Sequence, residues 1–300
     1  MEEQFQIISD GSCDLPTDLA EEAGISIVPF YVSFDEKNYL KEIREIGIRT
    51  FYQQMVENPG VYPKSSMPSV QDYIDAFKPY VEKGIPVICI CITTKFSGSM
   101  QSALNAVRMI QEDDPKAEIT VIDAMVNTVL QGLLVLEAAD MKKRGLSYWE
   151  TIEKLEQIKS SGRIFFTVGD MEYLKHGGRI GKVTALAGSV LGIRPIITLK
   201  EGEIFPSGIA RSRKKTMERT IELLLNYLKE HGGRIQDYSI AVGYGYDQQE
   251  SYDYREKVVE RLNANGYEIT REQIPVRQIG ATIGVHTGPY PLGLGILEKW

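Results

Sequence analysis

The strongest constraint on the fold is a repeated switch from a short apolar strand to a helix. The run Val87-Ile88-Cys89-Ile90-Cys91-Ile92 is the clearest case, and a helical stretch from Ser99 to about Asp113 follows it. Upstream, Phe5 to Ser9 reads as a strand ending at Asp10-Gly11-Ser12, and Pro16 to Ala23 as a helix with proline near its first turn. Ile25 to Phe34 reads as one further strand, and Thr50 to Glu57 as a short helix. Pro59 to Pro68 is a Pro/Ser loop, after which Ser69 caps a helix running to about Lys83. Ile119 to Asp123 is a strand, followed by helices near 127–144 and 147–160. Such alternation implies a parallel sheet with helices on both faces, a Rossmann-like α/β arrangement.

The second half has a different pattern. Arg163 to Val168 starts it as a strand, and Met171 to Leu191 is a helical region interrupted by glycines. Pro195 to Lys200 and Glu203 to Ala210 flank Glu201-Gly202, a hairpin signal. A helix over 213–231, a strand over 238–244 and a helix near 249–265 follow, with further strands expected at 267–270, 276–279 and 292–297. Strands now join through hairpins as well as helices, so an α+β domain is expected. A chain of 300 residues exceeds one ordinary core. The expected division is residues 1–162 and 163–300.

A net charge of −7 argues against a partner bound through a phosphate backbone, so no nucleic acid is expected. Cys13, Cys89 and Cys91 form no disulfide framework, and no second cysteine pair completes a zinc site. On a strand, Cys89 and Cys91 face the same side as small apolar residues. The acidic start Met1-Glu2-Glu3-Gln4 does not read as a signal peptide, and no apolar run is long enough to span a bilayer. The expected location is the cytoplasm.

Four segments carry the residue types that chemistry needs. Thr93 to Gln101 joins a buried strand to a helix, where ligands of parallel sheets bind. Its helix start offers free N–H groups, Ser97 and Ser99 add hydroxyls, and Gly98 admits close approach. That combination suits a carboxylate or phosphate, although the same residues also make a plain N-cap. Lys64-Ser65-Ser66-Met67-Pro68-Ser69 is a second hydroxyl-rich loop, which also reads as a solvated turn. His286 lies among small residues in Gly280 to Pro289, and reads either as a hydrogen-bond donor to a ligand or as a satisfied structural histidine. Lys175, Arg179 and Lys182 surround Gly177-Gly178 as a basic surface, a docking point or a solvated cap. No phosphate-binding P-loop, nucleophile elbow, zinc-protease helix or dinucleotide fingerprint occurs.

Together these segments resemble the DegV family of bacterial fatty-acid-binding proteins. The matching pieces are Ser9 to Pro16, Lys64 to Ser69, Ser97 to Ala103, Tyr173 to Ile180 and Val285 to Pro289, in the family's order. The resemblance implies two domains with a long-chain fatty acid buried between them, and no other cofactor or metal. It implies that Ser65, Ser97 and His286 hold the carboxylate, supported by Ser66, Gly98 and Thr287. It also implies that Arg179 docks a fatty acid kinase, which phosphorylates the bound acid with ATP. The acyl phosphate would then pass to phospholipid synthesis, with transient membrane contact and no membrane span. The chain departs from the family at Ser65, at Ser99-Met100 and at Tyr290, where threonine, Thr-Tyr and glycine are usual. Two other functions fit the residue types. One is an acyl hydrolase with Ser97 as nucleophile, His286 as base and Asp10 as a conceivable orienting acid. The other is a small-molecule kinase subunit, although no ATP-phosphate loop is present.

Overall fold

The computed structural model describes residues 5–184 and 193–300. The chain opens with strand β1 (Gln6–Asp10), helix α1 (Thr17–Glu22) and strands β2 (Ile25–Val28), β3 (Tyr31–Ser33) and β4 (Leu40–Lys41). Helix α2 (Ile48–Glu57), strand β5 (Lys64–Ser66), helix α3 (Val70–Val81), strand β6 (Val87–Cys91), helix α4 (Ser99–Asp113) and strand β7 (Ile119–Asp123) follow. Helices α5 (Thr128–Lys143) and α6 (Tyr148–Ile158) lead to strand β8 (Arg163–Thr167), helix α7 (Glu172–His176), and strands β9 (Arg194–Lys200) and β10 (Glu203–Ala210). Helix α8 (Arg213–His231), strand β11 (Tyr238–Tyr244), helix α9 (Gln248–Ala264), strand β12 (Val276–Gln278), helix α10 (Ala281–Thr287) and strand β13 (Leu292–Glu298) complete it.

The first lobe is the expected parallel sheet, in order β2-β1-β6-β7. The second is a mixed sheet of six strands, β10-β9-β8-β13-β11-β12, antiparallel except between β11 and β12. Local chemistry accounts for many boundaries. Ser69 and Asp72 form a reciprocal capping box on α3, as Ser147 and Glu150 do on α6. The β9–β10 hairpin turns on Glu201 and Gly202, both at positive φ, which a two-residue turn of this hand requires. Cys89 and Cys91 share a face, with sulfurs 3.7 Å apart in the core.

Three expectations need correction, and one segment left unassigned is resolved. The strand expected over 25–34 is two, because Pro29 has no N–H to give a ladder; β3 then leaves the parallel sheet. The loop expected over 59–68 contains β5, which pairs antiparallel with β3 and completes a small sheet β4-β3-β5. Residues 267–270 form no strand: the Asn263 amide holds both the N–H and the carbonyl of Ile269, standing in for a ladder neighbour. His286 sits on the short helix α10, whose glycine and β-branched residues give little helical signal. Of the glycine-interrupted region expected over 171–191, residues 185–191 lie outside the described residues.

Helix α5 joins the lobes. It packs on β1 on one side and on β11 and β13 on the other. Its residues 128–135 are all buried, so apolar side chains point in every direction rather than along one stripe. Val129, Leu130, Leu133 and Leu134 belong to one core with Ile7 and Ile90 of the first sheet and Ile164 and Ala241 of the second. Leu134, fully buried there, has no room to collapse around a void. Leu134→Ala is expected to cost about 2–5 kcal/mol. Urea unfolding followed by circular dichroism measures this, and a loss below about 1 kcal/mol would contradict the shared core.

Candidate functional site

A cavity opens where the carboxyl end of β6 and the start of α4 face the mixed sheet. Its empty space, counted out through the open mouth into solvent, is about 1070 Å³. The walls are largely apolar. Phe30 and Ile92 come from the first lobe, Val129 from α5, and Ile164, Phe166 and Leu294 from the mixed sheet. Polar side chains gather from three elements: Ser65 from β5, Ser97 before α4 and His286 from α10.

Ser65 Oγ lies 3.2 Å from His286 Nε2. Burial, with the positive charges of Arg179 and Lys64, pushes the imidazole down to about 3, so the ring is neutral near pH 7. His286 nevertheless keeps accessible surface, because it faces the cavity. Its Nδ1 lies against the backbone of Gly177, where a Cβ would collide with the ring. The Gly177 carbonyl favours the protonated ring, but no partner reaches Nδ1 at hydrogen-bonding geometry. Ser65 and His286 therefore share one hydrogen bond, in which the ring tautomer decides the donor. Ser97 Oγ accepts from the Ser99 N–H at 3.1 Å, so its own proton is free.

Two other hydroxyls in the wall are already committed. Thr128 donates to Asp14 at 2.5 Å, and Thr282 donates to Glu42 at 2.9 Å. Both carboxyl groups are buried, which raises them above the usual carboxylate range and favours the neutral form. The serine hydroxyls that face the cavity, Ser65 and Ser97, lie next to a neutral imidazole and two cations. An anionic oxygen is the complementary ligand.

Asp10 fixes the Ser97 turn from behind. It accepts from the Ile92 N–H at 2.9 Å, from Ser99 Oγ at 2.8 Å and from Gln131 Nε2 at 2.9 Å. The last of these ties α4 and β6 to α5. Asp10 therefore does not orient His286, as a hydrolase triad would require. Ser97 and His286 also lack a hydrogen bond to each other among the described residues.

The remaining expected residues divide. Gly98 lines the cavity and lets Met67 close over it; a Cβ there would sit 2.8 Å from Met67 Sδ. Thr287 also lines it, with its hydroxyl donated back to the Ile283 carbonyl. Ser66 is exposed and does not line the cavity, because neighbouring positions on β5 face opposite sides. Arg179 borders the cavity, and its guanidinium reaches the Phe96 carbonyl at 2.9 Å and the Gly177 carbonyl at 2.8 Å. Tyr290 lies away from the cavity, against Gly169 and edge-on to Tyr246.

Comparison with known proteins places this architecture. The model of the DegV family, described as "Uncharacterised protein, DegV family", matches residues 4–299. The chain belongs to the DegV family. A DegV domain-containing protein of Caldanaerobacter subterraneus subsp. tengcongensis is 31% identical over 99% of this chain and 100% of its own length. Among solved structures, a fatty-acid (stearic acid)-binding protein from Eubacterium ventriosum superposes with a TM-score of 0.92 at 42% identity, covering 98% of each chain. A fatty-acid-binding DegV family protein from Thermus thermophilus gives 0.86 at 28% identity, covering 98% of this chain and 99% of its own. The two-lobed α/β fold expected for a DegV protein is the one observed.

Sequence reading missed Thr128, Thr282, Asp14 and Glu42 in this DegV site. Their pairings join residues 114 and 240 positions apart, and no local pattern signals them. The neutral His286 gives a testable pH dependence. Its folded pKa lies near 3, below the ordinary 6.5, so between those values the unfolded chain binds more protons. Stability from this group is present above about pH 6.5 and is lost as pH falls toward 3. In an NMR titration the His286 ring is expected to keep its neutral shifts down to about pH 4. A midpoint near 6.5 would mean that the ring is open to water.

Proposed function

We propose that this chain is a carrier that binds a long-chain fatty acid in the cavity and presents its carboxylate to a separate ATP-dependent fatty acid kinase. The observation that carries this reading is the convergence of Ser65, Ser97 and His286 at one apolar cavity, with the neighbouring threonine protons already spent. The carboxylate accepts from the Ser97 hydroxyl and from the Ser65–His286 pair. The stearic-acid-binding name of the Eubacterium ventriosum relative supports the ligand class. Burying ~14 methylenes at ~0.8 kcal/mol each gives on the order of 11 kcal/mol, from which ordering and association costs subtract several. The tail therefore supplies affinity, and the polar cluster supplies identity and orientation.

In this reading the chain performs no chemistry itself. Its ligand is the fatty acid, it needs no metal or further cofactor, and it works in the cytoplasm. Arg179 lies at the rim, where a kinase approaching the carboxylate would meet it. The product acyl phosphate stays in the cavity until it is handed to phospholipid synthesis at the membrane.

Denaturing extraction and mass spectrometry of the purified protein are expected to yield long-chain fatty acid in near-stoichiometric amount. The double variant Ser97→Ala with His286→Ala is expected to retain on the order of a hundredfold less tightly, from two hydrogen bonds to a charged group. Wild-type retention by that variant would overturn the head-group assignment. Arg179→Ala is expected to keep its lipid while kinase-catalysed phosphorylation falls at least about tenfold. Loss of lipid with unchanged phosphorylation of what remains would move Arg179 into the head-group site instead.

A further inference from the structure

The cavity floor contains a place where the sheet has no side chain. In the antiparallel register, Gly243 of β11 lies directly opposite Gly293 of β13, and Gly293 lies opposite Phe166 of β8. All three line the cavity. Phe166 therefore walls one side of this row, and bare backbone floors the rest. Glycine in the interior of a strand weakens it and marks a close approach by something else.

The two glycines have different reasons to be glycine. A Cβ on Gly293 would lie 2.5 Å from the Phe165 carbonyl oxygen and 2.8 Å from Phe166 Cα. Backbone fills that space, so Gly293 is required by the fold. A Cβ on Gly243 would meet only side-chain atoms, Val129 Cγ2 at 3.3 Å and Ile279 Cγ1 at 3.4 Å. Both neighbours themselves line the cavity. One carbon at Gly243 thus fits if Val129 gives by a few tenths of an ångström, and a larger side chain would compete with these cavity-lining residues for the same space. Neither glycine has the positive φ that would demand it on backbone grounds. Backbone therefore blocks a side chain at Gly293, whereas at Gly243 only side chains of the cavity wall stand in its way.

We propose that Gly243 is a specificity-determining position for acyl length, leaving volume beside Val129 and Ile279 to the methylenes of a long saturated chain. This inference rests on the fatty-acid-carrier reading given above. The limit on length is steric: a side chain at position 243 occupies space that the tail would otherwise fill. Val129 and Ile279 set the width beside it, and Phe166 bounds it across the sheet. The head-group residues play no part in this choice.

The test compares binding of stearate and myristate to delipidated wild-type protein and to Gly243→Val. The variant is expected to lose at least about tenfold in stearate affinity relative to myristate, the cost of about two unburied methylenes. An unchanged stearate-to-myristate ratio in a protein that binds both would overturn the assignment of Gly243 and leave the carrier reading intact. Wild-type protein binding neither acid would overturn both. Should Gly243→Val fail to fold, Gly243→Ala is expected to shift the ratio in the same direction by a smaller factor. Val129→Ala added to Gly243→Ala is expected to return the ratio toward wild type, and failure to restore any part of that shift would count against a shared steric volume.

Discussion

Burial of α5 between the two sheets is the constraint on which the rest depends. A helix that is apolar on every side cannot remain stable with one face in water. It has to be covered by β1 on one side and by β11 and β13 on the other. Covering it brings the carboxyl end of the parallel sheet against the face of the mixed sheet. The cavity is the space left where that contact stops short, beside Val129 and Gly243. Close packing further along the helix uses Gly295, where a Cβ would stand 3.1 Å from Leu130.

Polar groups are handled by the same helix. Gln131 is fully buried in α5, yet it satisfies Asp10 and Ser9 with its amide N–H groups and accepts from Ser12. Asp10 in turn holds Ser99 and the Ile92 N–H, which sets the turn carrying Ser97. The position of one cavity hydroxyl therefore follows from a hydrogen-bond network inside the core. Glu42 and Thr282 perform the corresponding task for α10, tying the helix that carries His286 to the first lobe. Fully satisfied buried networks of this kind fix one arrangement, because a broken link leaves a polar group without water or partner.

The parts legible in the sequence are those with local causes. Strand–helix alternation, the Ser69 cap and the Glu201-Gly202 turn each follow from neighbouring residues, and each lies where it was expected. The Ser97 turn was legible for the same reason, as the junction of a buried strand and a helix. The failures have nonlocal causes. Strand β5 exists only because β3 lies beside it, so Lys64 to Ser66 read as loop. The helix carrying His286 is held by burial against α2 and β3 rather than by propensity. The alternation within β5 then separates Ser65 from Ser66, which a loop reading could not anticipate.

Because both sheets share the hydrocarbon surface of α5, the lobes cannot swing apart without wetting Leu130, Leu133 and Leu134. A jaw-like opening would thus cost about 1.5–3 kcal/mol for each leucine exposed. On the carrier reading, a ligand would then pass in and out as a sword moves in a scabbard, through the mouth of the cavity and not between parted lobes, with Met67 lying over Gly98 in its wall. On that reading the side chains at the rim, such as Arg179, would set the rate of exchange, and the scaffold would not need to open.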